Sequence, residues 1–355
     1  MKKFCKYIIF IVLCVNCTES RNIFNTTEQV FDGFEREFWL QAKPIHFDSI
    51  AAWPVQIYHF DSLLLFEHRS RSASPHFFSI YNLQTNKFIG SFLQRGRGPN
   101  EFIELFFYDE HTLQDNDRWL YLTAANEKKI IKFNLSNFLQ TGAIDVKLLH
   151  EYKGLQMTTH ILNDSTFFAW MFTRSREGMR VFYRKYFSTS DKLEEINLTK
   201  RDIKDEDEFD ILWATERIRQ DKKKMVMAMH GMNKIHIFDL EEPKNNITLT
   251  PKNQKYESLS DLARLEPLQR ITYYNGVTST QDYIFALFLN QLVFDRHHGQ
   301  SKGVEIHIFD WNGRPLYKLH VEEHLFGFCI DPIKKIMYAY DSDENIYQYD
   351  LSEIL

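Results

Sequence analysis

The sequence predicts an all-β chain, a six-bladed β-propeller of four-stranded antiparallel blades whose ring is closed by an N-terminal strand. Three observations carry this expectation. Short runs rich in aromatic and β-branched residues recur six times, as "SLLLFEHR" (62–69), "RWLYLTAA" (118–125), "STFFAWMF" (165–172), "KMVMAMHG" (224–231), "DYIFALFL" (282–289) and "KIMYAYDS" (335–342). Each is followed, after a polar turn, by a second run that ends near an Asp or Asn, such as "KIIKFNL" (129–135), "KIHIFDL" (234–240) or "NIYQYDL" (345–351), which is hairpin composition and spacing. The unit repeats at roughly 50 residues, the length of a propeller blade.

At the N-terminus, Lys2, Lys3 and Lys6 precede an apolar run from Tyr7 to Val15. The run is too short to cross a bilayer as a helix and has the order of a secretory signal. Its end resembles a bacterial lipoprotein signal, in which a cysteine becomes the lipidated first residue of the mature chain. That resemblance implies a signal peptide over 1–16 and a lipid on Cys17, although Asn16 stands where such signals usually carry a small residue. Residues 17–34 are expected to be a tether and 35–355 the propeller. Cys5 and Cys14 fall in the signal, so Cys329 is left without a disulfide partner in the mature chain. The fold must then rest on core burial, for which 44% hydrophobic and 15% aromatic content suffice.

The extended segment from Glu35 to Phe47 comes next. "NIYQYDLSEIL" leaves no residues for an outer strand on the sixth blade, and an open ring would expose a strand edge. The segment from Glu35 to Phe47 is therefore expected to pair with the last blade. Inner strands are read in "VQIYHF" (55–60), "IELFFYD" (103–109), "QMTTHIL" (156–162) and "RITYYNG" (270–276), and outer strands in "KFIGSFLQ" (87–94) and "RPLYKLHV" (314–321).

Between the first outer strand and the second inner strand stands "RGRGPNEF" (95–102). A phosphate-binding loop needs a helix after it, and here a strand follows. Gly96, Gly98, Pro99 and Glu101 are therefore read as a blade-to-blade corner, with the glycines in backbone angles closed to other residues. Arg95 and Arg97 leave anion or ligand capture open, because guanidinium groups suit carboxylate and phosphate. "YESLSDLARLEPLQR" (256–270) interrupts the spacing and suits a short helix capped by Ser258 or Ser260, either a surface insertion or a lid over the channel mouth. "DIKDEDEFD" (202–210) and "DKKK" (221–224) read as solvated loops.

"FLQRGRGPNEF", "DYIFALF" and "VEIHIFDWNGRPLYKLHVEE" followed by "IYQYDL" together resemble the TolB-like six-bladed propeller proteins of Bacteroidetes-type bacteria, over about Phe47 to Leu351. The resemblance implies the fold and an exported, lipid-anchored setting. It brings no settled activity and no catalytic residues. "LNQLVFDRHHGQSKG" (289–303) replaces the Ser/Gly turn usual in such proteins.

The net charge of −5 excludes the basic footprint of a nucleic-acid binder. Neither "GxSxG" nor "HExxH" occurs, and the 14 histidines lack the spacing of a zinc site, so no metal, cofactor or catalytic residue is expected. The reading is a monomeric, non-catalytic binding propeller held to the membrane through its lipid alone and taking a glycan, a peptide or an envelope protein. The alternative is a hydrolase or lyase with a metal-assisted site at the central channel, whose ligands come from several blades and leave no local motif. Tyr58, His59, Tyr108, His160 and Tyr273 are the candidate channel-lining residues on the inner strands.

Overall fold

The computed structural model describes residues 23–48, 54–68, 74–152, 158–190, 193–204, 206–253, 258–297 and 303–355. The signal region and Cys17 lie outside the described residues. Among those described, the strands form six sheets of four or five strands each, following one another in chain order. The fold is the all-β six-bladed propeller that the repeat predicted. Its inner strands are Pro54–Phe60, Leu105–Gln114, Thr158–Asn163, Ala214–Ile218, Ile271–Ser279 and Leu325–Asp331, in blades 1 to 6.

The second strand of each blade is nearly continuous in apolar residues because both of its faces pack on a neighbouring blade. In Tyr283–Leu292 of blade 5, Phe285 and Leu287 join a core with Phe328 and Met337 of blade 6, whereas Ile284 and Ala286 join one with Val226 and Ile235 of blade 4. The strand's two-residue period thus feeds two cores at once. Lys224–Met229 does the same, with Met225 and Met227 against Trp170 and Tyr183 of blade 3, and Val226 and Ala228 against blade 5.

The Asp or Asn that ends most third strands has a physical task. Asn82 Oδ1 accepts from the backbone N–H of Gln84 and Thr85 at 2.8 and 3.0 Å, Asp239 Oδ1 from Glu241 and Glu242 at 3.0 and 2.8 Å, and Asp310 Oδ1 from Asn312 and Arg314 at 2.8 and 2.9 Å. These Asx turns satisfy the first donors after the strand and start the reversal toward the outer strand.

The N-terminal segment serves three blades in succession. Thr27–Phe31 lies parallel to the outer strand of blade 4, Ile247–Pro251. Arg36–Trp39 lies parallel to the outer strand of blade 5, Pro315–Val321. Lys43–Ile45 then pairs antiparallel with Ile346–Gln348 and supplies the fourth strand of blade 6. Only this last part of the expected Glu35–Phe47 segment reaches the final blade. The tether expected over 17–34 is also too long, since from Phe24 onward the chain is built into the rim. Phe24 is fully buried with its ring 4.0 Å from that of His236, and Asn25 N–H donates to Leu198 O at 2.9 Å. An aromatic side chain and a row of open strand-edge groups hold a segment that composition alone marked as a spacer.

One further expectation is corrected, and the short helix expected within 256–270 is present. The acidic stretch 202–210 is not a solvated loop: Glu206–Ile211 is a helix with Phe209 and Ile211 in the core around Trp170, and buried Glu208 takes Arg201 through both oxygens at 2.9 and 3.0 Å. The insertion forms a helix at Leu259–Ala263, capped by Ser258 on Asp261 N–H at 3.1 Å, and its Leu259 and Leu262 enter the same core. It sits where the inner strand of blade 5 begins.

On the rim, Lys234 Nζ is held by Glu28 Oε1 at 2.9 Å with the lysine side chain 2% exposed, and Thr250 Oγ1 donates to the same oxygen at 2.7 Å. Replacing Glu28 leaves a buried ammonium uncompensated, which costs about 2 to 4 kcal/mol. Glu28→Gln is expected to lower the urea midpoint by a corresponding amount without changing the slope; an unchanged midpoint would show that this strand adds nothing to the ring.

Candidate functional site

The inner strand of blade 2 carries the irregularity that builds the site. Its register against Asp117–Ala124 runs Phe107 to Leu122 and then His111 to Leu120, so two extra residues bulge from the strand. Asp109, at the crest, has φ of 71°. Three consecutive polar residues, Asp109, Glu110 and His111, break the in–out alternation there, and the bulge is how the strand accommodates them.

Two polar layers result. The upper one is a cavity of about 490 Å³ at the end of the channel where the inner strands finish. His59, Asp109, His111, Cys329 and Asp331 line it from blades 1, 2 and 6. His59 Nε2 lies 2.8 Å from Asp61 O and 3.3 Å from Asp331 Oδ2, and its ring stacks on Tyr338 at 5.5 Å. Asp61 accepts from Arg118 at 2.8 Å, while the Lys334 ammonium is 3.8 Å from Asp331. The Asp109 carboxylate makes no hydrogen bond or ion pair with any described residue. Burial raises its pKa, against the pull of His111, Arg217, His59 and Arg118. Burial likewise lowers the pKa of His59, against Asp331, and of His111, against Asp109. The Cys329 thiol is buried and its pKa is pushed well up, by burial and by the neighbouring Asp109 and Asp331 charges, so it is a poor nucleophile.

The lower layer closes the channel. His160, fully buried on the inner strand of blade 3, places Nδ1 2.6 Å from Glu110 Oε1 of blade 2 and Nε2 2.9 Å from Glu216 Oε2 of blade 4. Tyr183 O–H donates to the other oxygen of Glu216. Burial opposes a charged ring, but the two carboxylates outweigh it and raise the His160 pKa to about 9. Burial raises that of Glu110. An imidazolium between two carboxylates therefore ties three blades at the axis.

A family model described as "TolB-like 6-blade propeller-like" matches residues 36–332. The chain belongs to this family. Among solved structures, this TolB-like propeller is similar to a Bacteroides fragilis protein at 13% identity and a TM-score of 0.52, with 91% of this chain and 98% of that one covered. It is similar also to a member of the DUF4221 family from Bacteroides vulgatus at 11% identity and a TM-score of 0.56, with 88% and 97% covered. At such identities the likeness concerns the fold alone. No curated protein matches the sequence.

Of the residues expected to line the channel of this TolB-like propeller, His59 does so at the mouth and His160 plugs it below. Tyr108, half-buried, stands over His160 with ring centroids 5.4 Å apart. Tyr58 and Tyr273 do not line the mouth cavity. Tyr58 is wedged between blades, its hydroxyl oxygen 2.7 Å from both buried Glu67 Oε2 and Phe107 O, either of which can accept its one proton. Tyr273 is buried in the core shared by blades 4 and 5. Both lie on inner strands, but an inner strand has two faces toward neighbouring blades and only its edge borders the axis. Asp109, Glu110, His111, Glu216 and Asp331 were not singled out from the sequence. The signal available was the run of three polar residues ending an otherwise aromatic strand.

The segment 95–102 connects the outer strand of blade 1 to the inner strand of blade 2, with Gly96 N–H donating to Phe102 O at 3.0 Å and Phe102 N–H to Gln94 O at 3.1 Å. Neither glycine has a left-handed φ; that conformation falls on Asn100, at 60°. The glycines instead make room for Glu101, whose Oε2 accepts from Gly98 N–H at 2.8 Å and would lie 1.9 Å from a Cβ on Gly96. Pro99 is exposed between them. Arg95 is engaged, its guanidinium 3.8 Å over the Phe77 ring and donating to His68 O, while Arg97 is exposed.

The His160 pair dictates a pH dependence. Its folded pKa lies above the unfolded value near 6.5, so its contribution is complete below that value, declines as pH rises, and is gone above about 9. The raised pKa of Glu110 acts in the same direction at lower pH. Melting temperature is expected to fall by several degrees between pH 6.5 and 9, and His160→Gln to be less stable at neutrality and to lack that decline. Parallel melting curves for the two proteins across this window would show that His160 is not charged in the fold.

Proposed function

We propose that the protein is a non-catalytic binding module of the bacterial envelope that receives a polyhydroxylated ligand, such as the end of a glycan, at the channel mouth. The observation that carries this reading is the Asp109 carboxylate, thrust into the mouth cavity by a backbone bulge and left without a hydrogen-bond partner among the described residues. Ser62, Gln84, Gln220 and Ser279 surround it with further donors and acceptors, and Phe60 and Ile330 give the cavity apolar wall. This mixture of a few convergent polar groups on an apolar surface is the usual make-up of a small-molecule site. A metal-assisted hydrolase is less well supported, because among the described residues no three His, Cys, Asp or Glu side chains are placed to hold a metal ion.

Asp109 is costly to the fold as it stands. With its pKa raised by burial, its ionised form at neutral pH is destabilising, and an isosteric amide removes that penalty. Asp109→Asn is therefore expected to melt at the same temperature as the parent or higher, yet to bind neutral oligosaccharides on an array at least about tenfold more weakly, the weight of one charge-assisted hydrogen bond. Unchanged glycan binding in this variant would move the site elsewhere, and hydrolysis products released from the bound oligosaccharide would replace the binding module with an enzyme.

The envelope setting rests on the basic and apolar N-terminus and on the description of the Bacteroides fragilis relative as an exported protein. A lipid on Cys17 is the anchor in this reading. Cys17→Ser is expected to shift the protein from the membrane pellet to the soluble envelope fraction; a variant that stays in the pellet would assign anchoring to the run from Tyr7 to Val15.

A further inference from the structure

At the opposite end of the channel, where the inner strands of blades 4 and 5 begin, the fold holds a cation with no counter-charge among the described residues. Arg296 lies on the short helix Val293–His297, between the second and third strands of blade 5. It is half-buried, and its Nη1 donates to Thr272 Oγ1 at 3.2 Å. Among the described residues no carboxylate stands within ion-pair distance of it. Asp295 on the same helix makes no ion pair with it, and Asp207, on the helix Glu206–Ile211, is engaged by Arg270 at 3.0 Å.

His230 belongs to the same group. Its Nε2 meets Thr215 Oγ1 at 2.9 Å, its N–H donates to Trp213 O at 2.8 Å, and its carbonyl accepts from Tyr273 N–H at 2.8 Å, which fixes the residue between the two inner strands. Burial, reinforced by the Arg296 charge, lowers its pKa to about 4, so the ring is neutral at physiological pH. The indole of Trp213, 40% exposed, stands at the head of the blade 4 inner strand.

A guanidinium that has lost part of its hydration without gaining a carboxylate is in an unfavourable state, and natural interiors pair such groups. The local sum is one positive charge, from Arg296, beside two threonine hydroxyls and a neutral imidazole. That sum matches a monoanion and leaves a phosphate dianion half compensated, while the planar fork of arginine fits the two oxygens of a carboxylate.

We propose that Arg296, with Thr272, Thr215 and His230, forms a binding site for a monoanionic carboxylate, carried by an acidic sugar or by a peptide C-terminus. The site is separate from the channel mouth and independent of the reading given to Asp109. A bound carboxylate takes the place of the missing counter-ion and screens His230 from the guanidinium.

The test uses the full-length protein with sodium glucuronate and N-acetylalanine as probes, at constant ionic strength, read by thermal melting and by the NMR titration of the His230 ring. Either probe is expected to raise the melting temperature and to raise the His230 pKa by about one unit, as removal of a nearby like charge does. A preference for glucuronate assigns the site to an acidic sugar, and a preference for N-acetylalanine to a peptide terminus. In Arg296→Gln the His230 pKa should rise without any probe, and both probe effects should vanish. A His230 titration in the parent that neither probe moves overturns the proposal, as does an equal effect from sodium chloride or a probe response that persists in Arg296→Gln.

Discussion

A ring of sheets made from one chain has to close, and the last sheet cannot close it alone. Here Lys43–Ile45 pairs with Ile346–Gln348 and covers the hydrogen-bonding edge of the third strand of blade 6. Unpaired edges invite pairing with other chains. The solution goes further than closure, because the same N-terminal segment first runs along the outer edges of blades 4 and 5. Half of the rim is thus stitched by residues that precede the first blade, and the buried Lys234–Glu28 pair marks how deeply that stitching enters the wall.

With the rim held from outside, the axis tolerates polar groups that a core would reject. The Glu110–His160–Glu216 bridge joins three inner strands through one charged ring, while Glu110 Oε2 is buried with no hydrogen-bond partner among the described residues. Above it, Asp109 is left unsatisfied on a bulged strand with a left-handed residue at its crest. The two layers use adjacent residues of the same irregular strand for opposite ends. One pairs charges within the fold, and the other leaves a carboxylate facing the cavity.

How much of this was legible in the sequence follows from what each strand touches. Second strands such as Tyr283–Leu292 are packed on both faces, so their apolar runs stand out and the blades could be counted from them. The inner strands of blades 4 and 6 were not read. Ala214–Ile218 carries Glu216 and Arg217 toward the axis, and those charges hide the strand from a search for apolar runs. The site was partly readable for the same reason in reverse: His59 and His160 were chosen as polar residues on inner strands, whereas Tyr58 and Tyr273, chosen alike, turn their rings into inter-blade cores. Asp109 was missed because it sits inside a two-residue bulge, where the alternation of inward and outward residues is locally broken. At the corner 95–102, the glycine requirement was visible but its cause was not, since it lies in the reach of Glu101 and not in the glycines' own backbone angles.

Under the proposed lipid on Cys17, the position of Phe24 would govern how the ring is presented to a membrane. Phe24 is sealed into the outer wall, against His236 of blade 4 and beside Leu198 at the end of blade 3, and not at either mouth of the channel. Phe24 lies seven positions after Cys17, and a chain of that length reaches no more than about 25 Å however it runs. An acyl chain on Cys17 would therefore hold the disk by its edge, like a coin standing on its rim. In that posture neither flat face lies against the lipid headgroups. The Asp109 cavity and the Arg296 cluster, on opposite faces, would both stand open to the aqueous space, and two different molecules could be held side by side along the membrane surface.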